Sequence, residues 1–281
     1  MIAPFIKFRI FEAALAAIPR AVTDVTCITR WSAEEVAAGV SDPEIVDAAE
    51  ADGRPTVLLC HNLHAKLYIS DVQCLVGSAN LTGKATGKLQ PANIELLVEA
   101  DAGHCEITAL LLRLLAESTP ATPEIAAAVR ARANLLVANG LSPTPIEAEG
   151  DEALRWYPTT RAPERLYRVY LGDPRGCPHA ILEGALADLA HLDLPPGLDK
   201  QQFDAAVRGC IYSFPEIAAL LDAGRISSVE LEAALLANRV SSAIDAAERA
   251  LTLTRWLTFF DADLHTVPAG PYDIVRGRQL E

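Results

Sequence analysis

The first hundred residues alternate between helical and strand patterns. Positions 5–18 repeat apolar residues at helical spacing and stop near Pro19, whereas 24–31 is rich in β-branched residues and predicts a strand. Further short aliphatic segments between turn residues predict strands at 56–62, 64–70, 73–78 and 93–100. This alternation predicts an α/β domain, with a mixed β-sheet flanked by helices.

Helix starts in this region carry capping signals. Ser32 followed by Glu35 fits a capping box, and Asp42 before Pro43 fits an N-cap followed by a proline at the first helical position. Two longer helices are predicted over 103–117 and 122–140.

A change of composition divides the chain. Residues 141–150 contain two prolines and no periodicity, which is typical of a linker. We therefore predict a domain over 1–140 (a core of 1–119 plus a following helix), a linker over 141–162 and a mainly α-helical C-terminal domain over 163–281. The helices predicted there cover 177–192, 200–212, 215–223, 228–238 and 242–260.

Charge is unevenly distributed along the chain. The formal net charge of −13 argues against a protein that coats nucleic acid without sequence specificity. Between residues 54 and 94, however, four basic side chains stand against the single acid Asp71, a local charge of +3. This basic island indicates a local anion site.

The sequence predicts a reduced protein away from membranes. The apolar runs fall far short of the roughly 18 residues that cross a bilayer, and Lys7, Arg9 and Glu12 interrupt any secretion-like segment, so we expect a cytoplasmic location. The six cysteines lie far apart and are predicted to be free thiols. His61 and His64 would leave opposite faces of a strand, so no metal site is predicted there.

Candidate chemistry is concentrated between His64 and Asn80. His64 and Lys66 are two apart in a predicted strand, so a nucleophile or base and a fixed cation share one face, with Tyr68 beside them. The next strand runs into Gly77, Ser78 and Asn80. Glycine permits close backbone approach to an anion, while the hydroxyl and the amide supply donors, and together these groups predict a phosphate pocket.

This spacing resembles the phospholipase D superfamily. Its H-x-K-x4-D and G-S-x-N motifs are matched by His64, Lys66, Asp71, Gly77, Ser78 and Asn80. The local sequence around both motifs is similar to that of the nuclease branch with a single motif, which includes metal-independent restriction endonucleases. The resemblance covers roughly residues 1–119. Only five residues separate Asp71 from Gly77 where many members have six, and strand parity directs Asp71 away from His64, so we assign Asp71 a structural turn role.

The resemblance implies a mechanism without metal or other cofactor. His64 would attack phosphorus to form a phosphohistidine, while Lys66 and Asn80 stabilise the charge on the equatorial oxygens. A second histidine must protonate the leaving oxygen and then activate water. No other histidine of the chain, however, is followed two residues later by lysine. The family's need for two copies therefore predicts a homodimer with a shared site.

Two further residues are candidates for the site. Glu95 is the lone charge in the apolar run 94–98, and the resemblance implies that it orients His64. Arg30 ends a predicted strand and could hold a phosphate. The alternative, a surface arginine packed over Trp31, is favoured.

Two C-terminal patterns have a functional and a structural interpretation. Basic and aromatic residues interleave at Arg155, Trp156, Arg161, Arg165 and Arg168, as in nucleic-acid surfaces, although a solvated amphipathic helix gives the same pattern and is favoured. Residues 214–238 resemble a helix-turn-helix around Gly224, with a Ser227/Glu230 capping box. Because Glu230 and Glu232 oppose docking on DNA, simple helical packing is favoured.

The function predicted from these features is a metal-independent phosphodiesterase, a nuclease acting on DNA or RNA. The resemblance also implies a place in restriction or antiphage defence, with a helicase or another defence protein as partner. Two alternatives stay open. The chain could be a non-catalytic dimerising scaffold of such a complex, or a lipid phosphodiesterase or phosphatidyltransferase, although no membrane-facing stretch is found.

Overall fold

Two units make up the chain, residues 1–146 and 147–281. The computed structural model describes residues 1–71, 73–141, 156–237, 243–268 and 272–277. Most of the predicted linker lies outside these ranges. The mixed α/β class predicted from the sequence is confirmed, since both units combine helices with short strands.

The first unit follows the predicted alternation of helices and strands. Its elements are α1 (Phe8–Ala17), β1 (Val25–Thr29), α2 (Ala33–Ala37), α3 (Ile45–Asp52), β2 (Pro55–Leu59), β3 (Leu67–Ser70), β4 (Gln73–Gly77), β5 (Leu97–Asp101), α4 (Cys105–Glu117), β6 (Thr119–Pro120) and α5 (Pro123–Ala138).

The strands form two groups that residue Ile2 joins. β1 pairs in parallel with β2, which pairs with β6, while β3, β4 and β5 form an antiparallel group in that order. Ile2 pairs in parallel with Ile28 and antiparallel with Leu67, exchanging two hydrogen bonds of 2.8 Å with Leu67. A single bridging residue has no periodicity, so no strand was predicted before residue 5.

Two predicted strands begin later than expected. The strand predicted from His64 begins at Leu67, and the strand predicted from 93 begins at Leu97. The ladders begin where Leu67 meets Val76 and where Leu97 meets Gly77. His64, Lys66 and Glu95 therefore precede their strands.

Helix α4 covers one face of the β3-β4-β5 group. Ile107 and Leu114 of α4 pack with Leu67, Cys74 and Ile28 in one buried cluster, which removes apolar surface from water. All six cysteines are free thiols, and Cys27, Cys60 and Cys74 are buried.

One of the two predicted helix caps is confirmed and the other is wrong. Ser32 accepts a hydrogen bond from the Glu35 amide at 3.1 Å, which is the N-cap half of the predicted capping box, while Glu35 Oε1 accepts from Arg30. Asp42 was expected to cap α3, but its carboxylate accepts from Lys7 Nζ at 2.6 Å and from the Phe8 amide at 2.8 Å. Asp42 thus caps α1, whose first amides have no partner within their own helix.

The second unit contains the predicted helices and a small sheet that was not predicted. After a 3₁₀ turn at Pro163–Arg165 come α6 (Leu166–Tyr170), α7 (His179–Leu192), α8 (Lys200–Tyr212), a 3₁₀ turn at Pro215–Ile217, α9 (Ala218–Ala223), β7 (Arg225–Ser227), α10 (Ser228–Ala237), α11 (Ala243–Phe260), β8 (Leu264–Val267) and β9 (Asp273–Arg276).

The elements from α9 to β9 include a three-stranded antiparallel sheet. β7 separates α9 from α10, and it pairs with β9, so that the sheet order is β7-β9-β8. The Ser227/Glu230 capping box is present. The favoured prediction of simple helical packing thus missed the sheet, because strands of three or four residues give too little alternation to detect.

No helix in the described ranges is at once long and apolar enough to cross a bilayer.

A buried carboxylate binds the first described residues of the second unit, 156–160, to helix α7. Asp188 of α7 accepts hydrogen bonds from the Thr160 amide, from the amide and hydroxyl of Thr159 (each 2.8 Å), and from Trp156 Nε1 at 3.2 Å. Burial raises the pKa of Asp188 above its usual range, while these hydrogen bonds oppose that shift.

We expect Asp188→Asn to destabilise the protein by about 1–3 kcal/mol, because the new NH₂ group would face donors that the carboxylate oxygens now accept. Urea unfolding followed by circular dichroism measures the change. Asp222→Asn, the same change at an exposed position, is the control and should alter stability little. Equal stabilities of both variants and the wild type would contradict this role.

Candidate active site

The predicted site residues lie at one edge of the first unit's sheet. β1 and β2 end there with Thr29 and Leu59, and because β3 runs antiparallel to the Ile2 segment, it begins there with Leu67. β4 ends at the same edge with Gly77, and β5 begins there with Leu97. The segments at this edge carry Arg30, His64, Lys66, Gly77, Ser78, Asn80 and Glu95.

Two hydrogen bonds join the start of β3 to the end of β4. The Gly77 amide donates to the Lys66 carbonyl at 3.4 Å, and the Tyr68 hydroxyl donates to the Ala79 carbonyl at 2.8 Å. The H-x-K segment and the G-S-x-N segment are therefore neighbours, as the resemblance implies.

His64 is one of the exposed members of the group. Its side chain is exposed and, within the described part of the chain, makes no hydrogen bond or ion pair. Lys66, two residues further, is half-buried. An exposed imidazole on the same segment as a lysine is suited to a phosphate, since the cation attracts the anion and imidazole is a nucleophile.

Glu95 and Ser78 form a short hydrogen bond at this edge. The Ser78 hydroxyl donates to one Glu95 oxygen at 2.5 Å, and Asn93 Nδ2 donates to the other at 3.1 Å. No hydrogen bond between Glu95 and His64 is present among the described residues. The orienting role implied for Glu95 stays a prediction, while its observed contact fixes Ser78. Sequence reasoning missed Asn93, two residues before Glu95.

Tyr68 adds a neutral donor beside these groups. Burial raises the pKa of Tyr68 well above its usual range, and the negative charge of Glu95 raises it further. The phenol therefore stays protonated at physiological pH and keeps its hydrogen bond to the Ala79 carbonyl.

Asn80 is oriented by the segment that precedes α1. Its Oδ1 accepts from the Phe5 amide at 3.3 Å, while the Leu81 amide donates to the Phe5 carbonyl at 3.1 Å. With the oxygen engaged, the NH₂ group makes no hydrogen bond within the described residues and is available to an acceptor such as a phosphate oxygen. The contact with Phe5 had no signal in the sequence.

Gly77 is required by the packing of the backbone at Leu96. A Cβ built on Gly77 would lie 1.9 Å from the carbonyl oxygen of Leu96, far inside contact distance. Its amide, which we expected to face an anion, donates to Lys66 instead. The glycine thus allows the backbone at Leu96 to approach β4 closely as it runs alongside it.

Arg30 lies at the site edge with its guanidinium engaged. It donates to Glu35 Oε1 at 2.5 Å and to the Leu63 carbonyl at 2.9 Å, and it lies over the Phe5 ring at 5.4 Å. The favoured alternative expected packing on Trp31, but the ring is that of Phe5. Because Leu63 precedes His64, Arg30 holds the segment that carries the imidazole.

Asp71 lies at the opposite edge of the sheet. It occupies the turn between β3 and β4 with φ of 49°, a left-handed conformation that aspartate tolerates better than most residues. The strands separate Asp71 from His64, which agrees with the turn role assigned to it.

The interleaved basic and aromatic residues of the second unit are mostly paired internally. Arg161 forms an ion pair with Glu248 at 3.0 Å, and Arg168 with Asp173 at 2.6 Å. Arg155 lies outside the described residues. The acids Asp245 and Glu248 are exposed on α11, so the described residues of this region form no continuous basic surface.

Among the described residues, no group of three or more histidine, cysteine, aspartate or glutamate side chains could hold a metal ion. No protein-family model matches the sequence, and no curated protein is significantly similar to it. The family resemblance therefore depends on the two motifs and their arrangement at the sheet edge.

We expect Gly77→Ala to destabilise the first unit by about 1–3 kcal/mol, because the added methyl group must displace the backbone at Leu96. Urea unfolding of purified protein measures the loss. The control is Gly209→Ala in α8, where a Cβ meets nothing within 4 Å and alanine favours the helix, so stability should rise by about 1 kcal/mol. Similar changes of stability in the two variants would refute the close approach of the Leu96 carbonyl to Gly77.

Proposed function

We propose that this chain is a phosphodiesterase of the phospholipase D type that cleaves nucleic acid at a site shared by two copies. The observation that carries the proposal is that the H-x-K and G-S-x-N segments meet at one sheet edge, with the His64 side chain exposed there. If the two motifs were unrelated turns or surface residues, nothing would require the two segments to be neighbours.

The chemistry proceeds in two displacements. An imidazole nitrogen of His64 forms a bond to phosphorus as the leaving oxygen departs, and the second histidine gives that oxygen a proton. Water then attacks the same phosphorus, gives its proton to the second histidine and releases His64. Lys66 and the NH₂ group of Asn80 stabilise the charge on the non-bridging oxygens through both steps, without a metal or other cofactor.

Nucleic acid is the favoured substrate because the basic island lies on the segments of the site. Lys66 belongs to the site, and Lys84 and Lys88 are exposed on the loop that leads to Glu95. The net charge of −13 makes binding to free nucleic acid weak, so a partner that delivers substrate fits this chain. We place it in restriction or antiphage defence with a helicase or similar partner.

A cleavage assay tests the proposal. Single- and double-stranded DNA and RNA are incubated with the wild type and His64→Ala, with and without chelator. We expect chelator-resistant cleavage that falls at least about 10³-fold in His64→Ala, since the nucleophile is lost. His179→Ala, an exposed histidine of the second unit, is the control and should keep full activity.

The alternatives give different outcomes of the same assay. No cleavage by the wild type, even with candidate partner proteins added, would favour the non-catalytic scaffold. Hydrolysis of phosphatidylcholine vesicles without cleavage of nucleic acid would favour the lipid enzyme. Activity in His64→Ala would exclude His64 as the nucleophile.

A covalent intermediate gives a second, independent prediction. Rapid acid-free quenching with a phosphorus-labelled substrate should leave label on the wild-type protein through an acid-labile and alkali-stable bond, the behaviour of a phosphohistidine. His64→Ala should carry no label, because the nitrogen that accepts phosphorus is absent. Alkali-labile label on the wild type would indicate a different nucleophile.

A further inference from the structure

Apolar side chains are exposed next to the site. Ile94 is fully exposed and Leu96 is 67% exposed, and Leu97 and Val98 of β5 are also exposed. We refer to these four residues as the 94–98 surface. β5 is the outermost strand of the β3-β4-β5 group among the described residues. Large apolar side chains clustered on an edge strand favour aggregation unless a partner covers them.

The 94–98 surface is continuous with the site. Glu95, between Ile94 and Leu96, accepts the hydrogen bond from Ser78. The Leu96 amide donates to the Ser78 hydroxyl at 3.1 Å, and the Ser78 amide donates to the Leu96 carbonyl at 3.0 Å. A partner seated on this surface would therefore lie beside the proposed catalytic groups.

Charges of opposite sign flank the surface. Lys84 and Lys88 are exposed at one end, where the Asn93 amide donates to the Lys84 carbonyl at 3.1 Å. Glu99 and Asp101 are exposed at the other end, along β5. A two-fold axis through such a surface matches the basic end of one copy with the acidic end of the other. A purely basic or acidic partner would be repelled at one end.

We propose that a second copy of this chain docks on the 94–98 surface about a two-fold axis near Leu96. The inference rests on the proposed function, because a site with a single H-x-K motif is incomplete until another copy supplies the second histidine. Docking there buries the apolar side chains and brings the site edges of the two copies together.

Two registers of antiparallel β5 pairing between the copies are unfavourable. Antiparallel pairing centred on Leu97 would place Glu95 opposite Glu99, and pairing centred on Val98 would place Glu95 opposite Asp101. Like charges directly opposite each other destabilise a strand pair. An axis at Leu96 sets Ile94 opposite Val98 and Glu95 opposite Leu97, and so avoids both arrangements.

The first test is the mass of the particle in solution. Sedimentation velocity and light scattering on the purified chain should give a dimer, and Ile94→Arg and Leu96→Arg should each convert it to a monomer with unchanged thermal stability. Both positions are exposed, so the fold should tolerate them. The control is Val229→Arg, 61% exposed on α10, which should stay dimeric. A monomeric wild type, or dimeric Ile94→Arg, would overturn the proposal.

Charge reversal tests the orientation of the two copies. Lys84→Glu with Lys88→Glu should raise the dimer dissociation constant about tenfold, and Glu99→Lys should raise it similarly, because each reversal creates repulsion across the axis. The combined triple variant should recover most of the affinity. Additive losses in the triple variant would overturn the two-fold arrangement.

Association and catalysis are measured separately, so their failures are distinguishable. If Ile94→Arg breaks the dimer but the wild type cleaves nothing, the proposed interface is supported and the proposed function is not. Cleavage by monomeric Ile94→Arg at the wild-type rate would overturn the shared site and leave the phosphodiesterase.

Discussion

The carbonyl oxygen of Leu96 lies where a side chain at residue 77 would be, and the rest of the site depends on this close backbone approach. Gly77 permits it, and two hydrogen bonds between Ser78 and Leu96 hold it. The approach places Glu95 against the Ser78 hydroxyl, next to the exposed Ile94 and Leu96. One close approach of two strands thus determines both the polar site and the apolar surface next to it.

The site edge also shows how an acidic protein can present a basic site. The chain carries a net charge of −13, but the segments around β3 and β4 hold basic residues and few acids. Arg30 is neutralised by Glu35 and supports the segment that carries His64, so it acts on the structure of the site. Lys66, Lys84 and Lys88 then supply the positive charge on which the proposed phosphate binding depends.

The second unit was the less predictable half. Its long helices follow from apolar spacing, and α8 has the predicted bounds, Lys200–Tyr212. The three strands of its sheet are three or four residues long, and their pairing across α10 and α11 involves no local pattern. The acids and paired arginines of this unit distinguish it from a basic nucleic-acid surface.

The sequence by itself determined the alternation of helices and strands, the free cysteines, and the candidate residues from His64 to Asn80, because helical and strand periodicity and motif spacing are local properties. Only the tertiary structure decided that Ile2 joins the two strand groups, that Asp42 caps α1, and that Phe5 orients Asn80. These contacts join residues far apart in the chain, and no local pattern records which distant donor meets which acceptor. The exposure of Ile94 was equally hidden, since an apolar run in a sequence looks the same whether it is buried in a core or faces solvent.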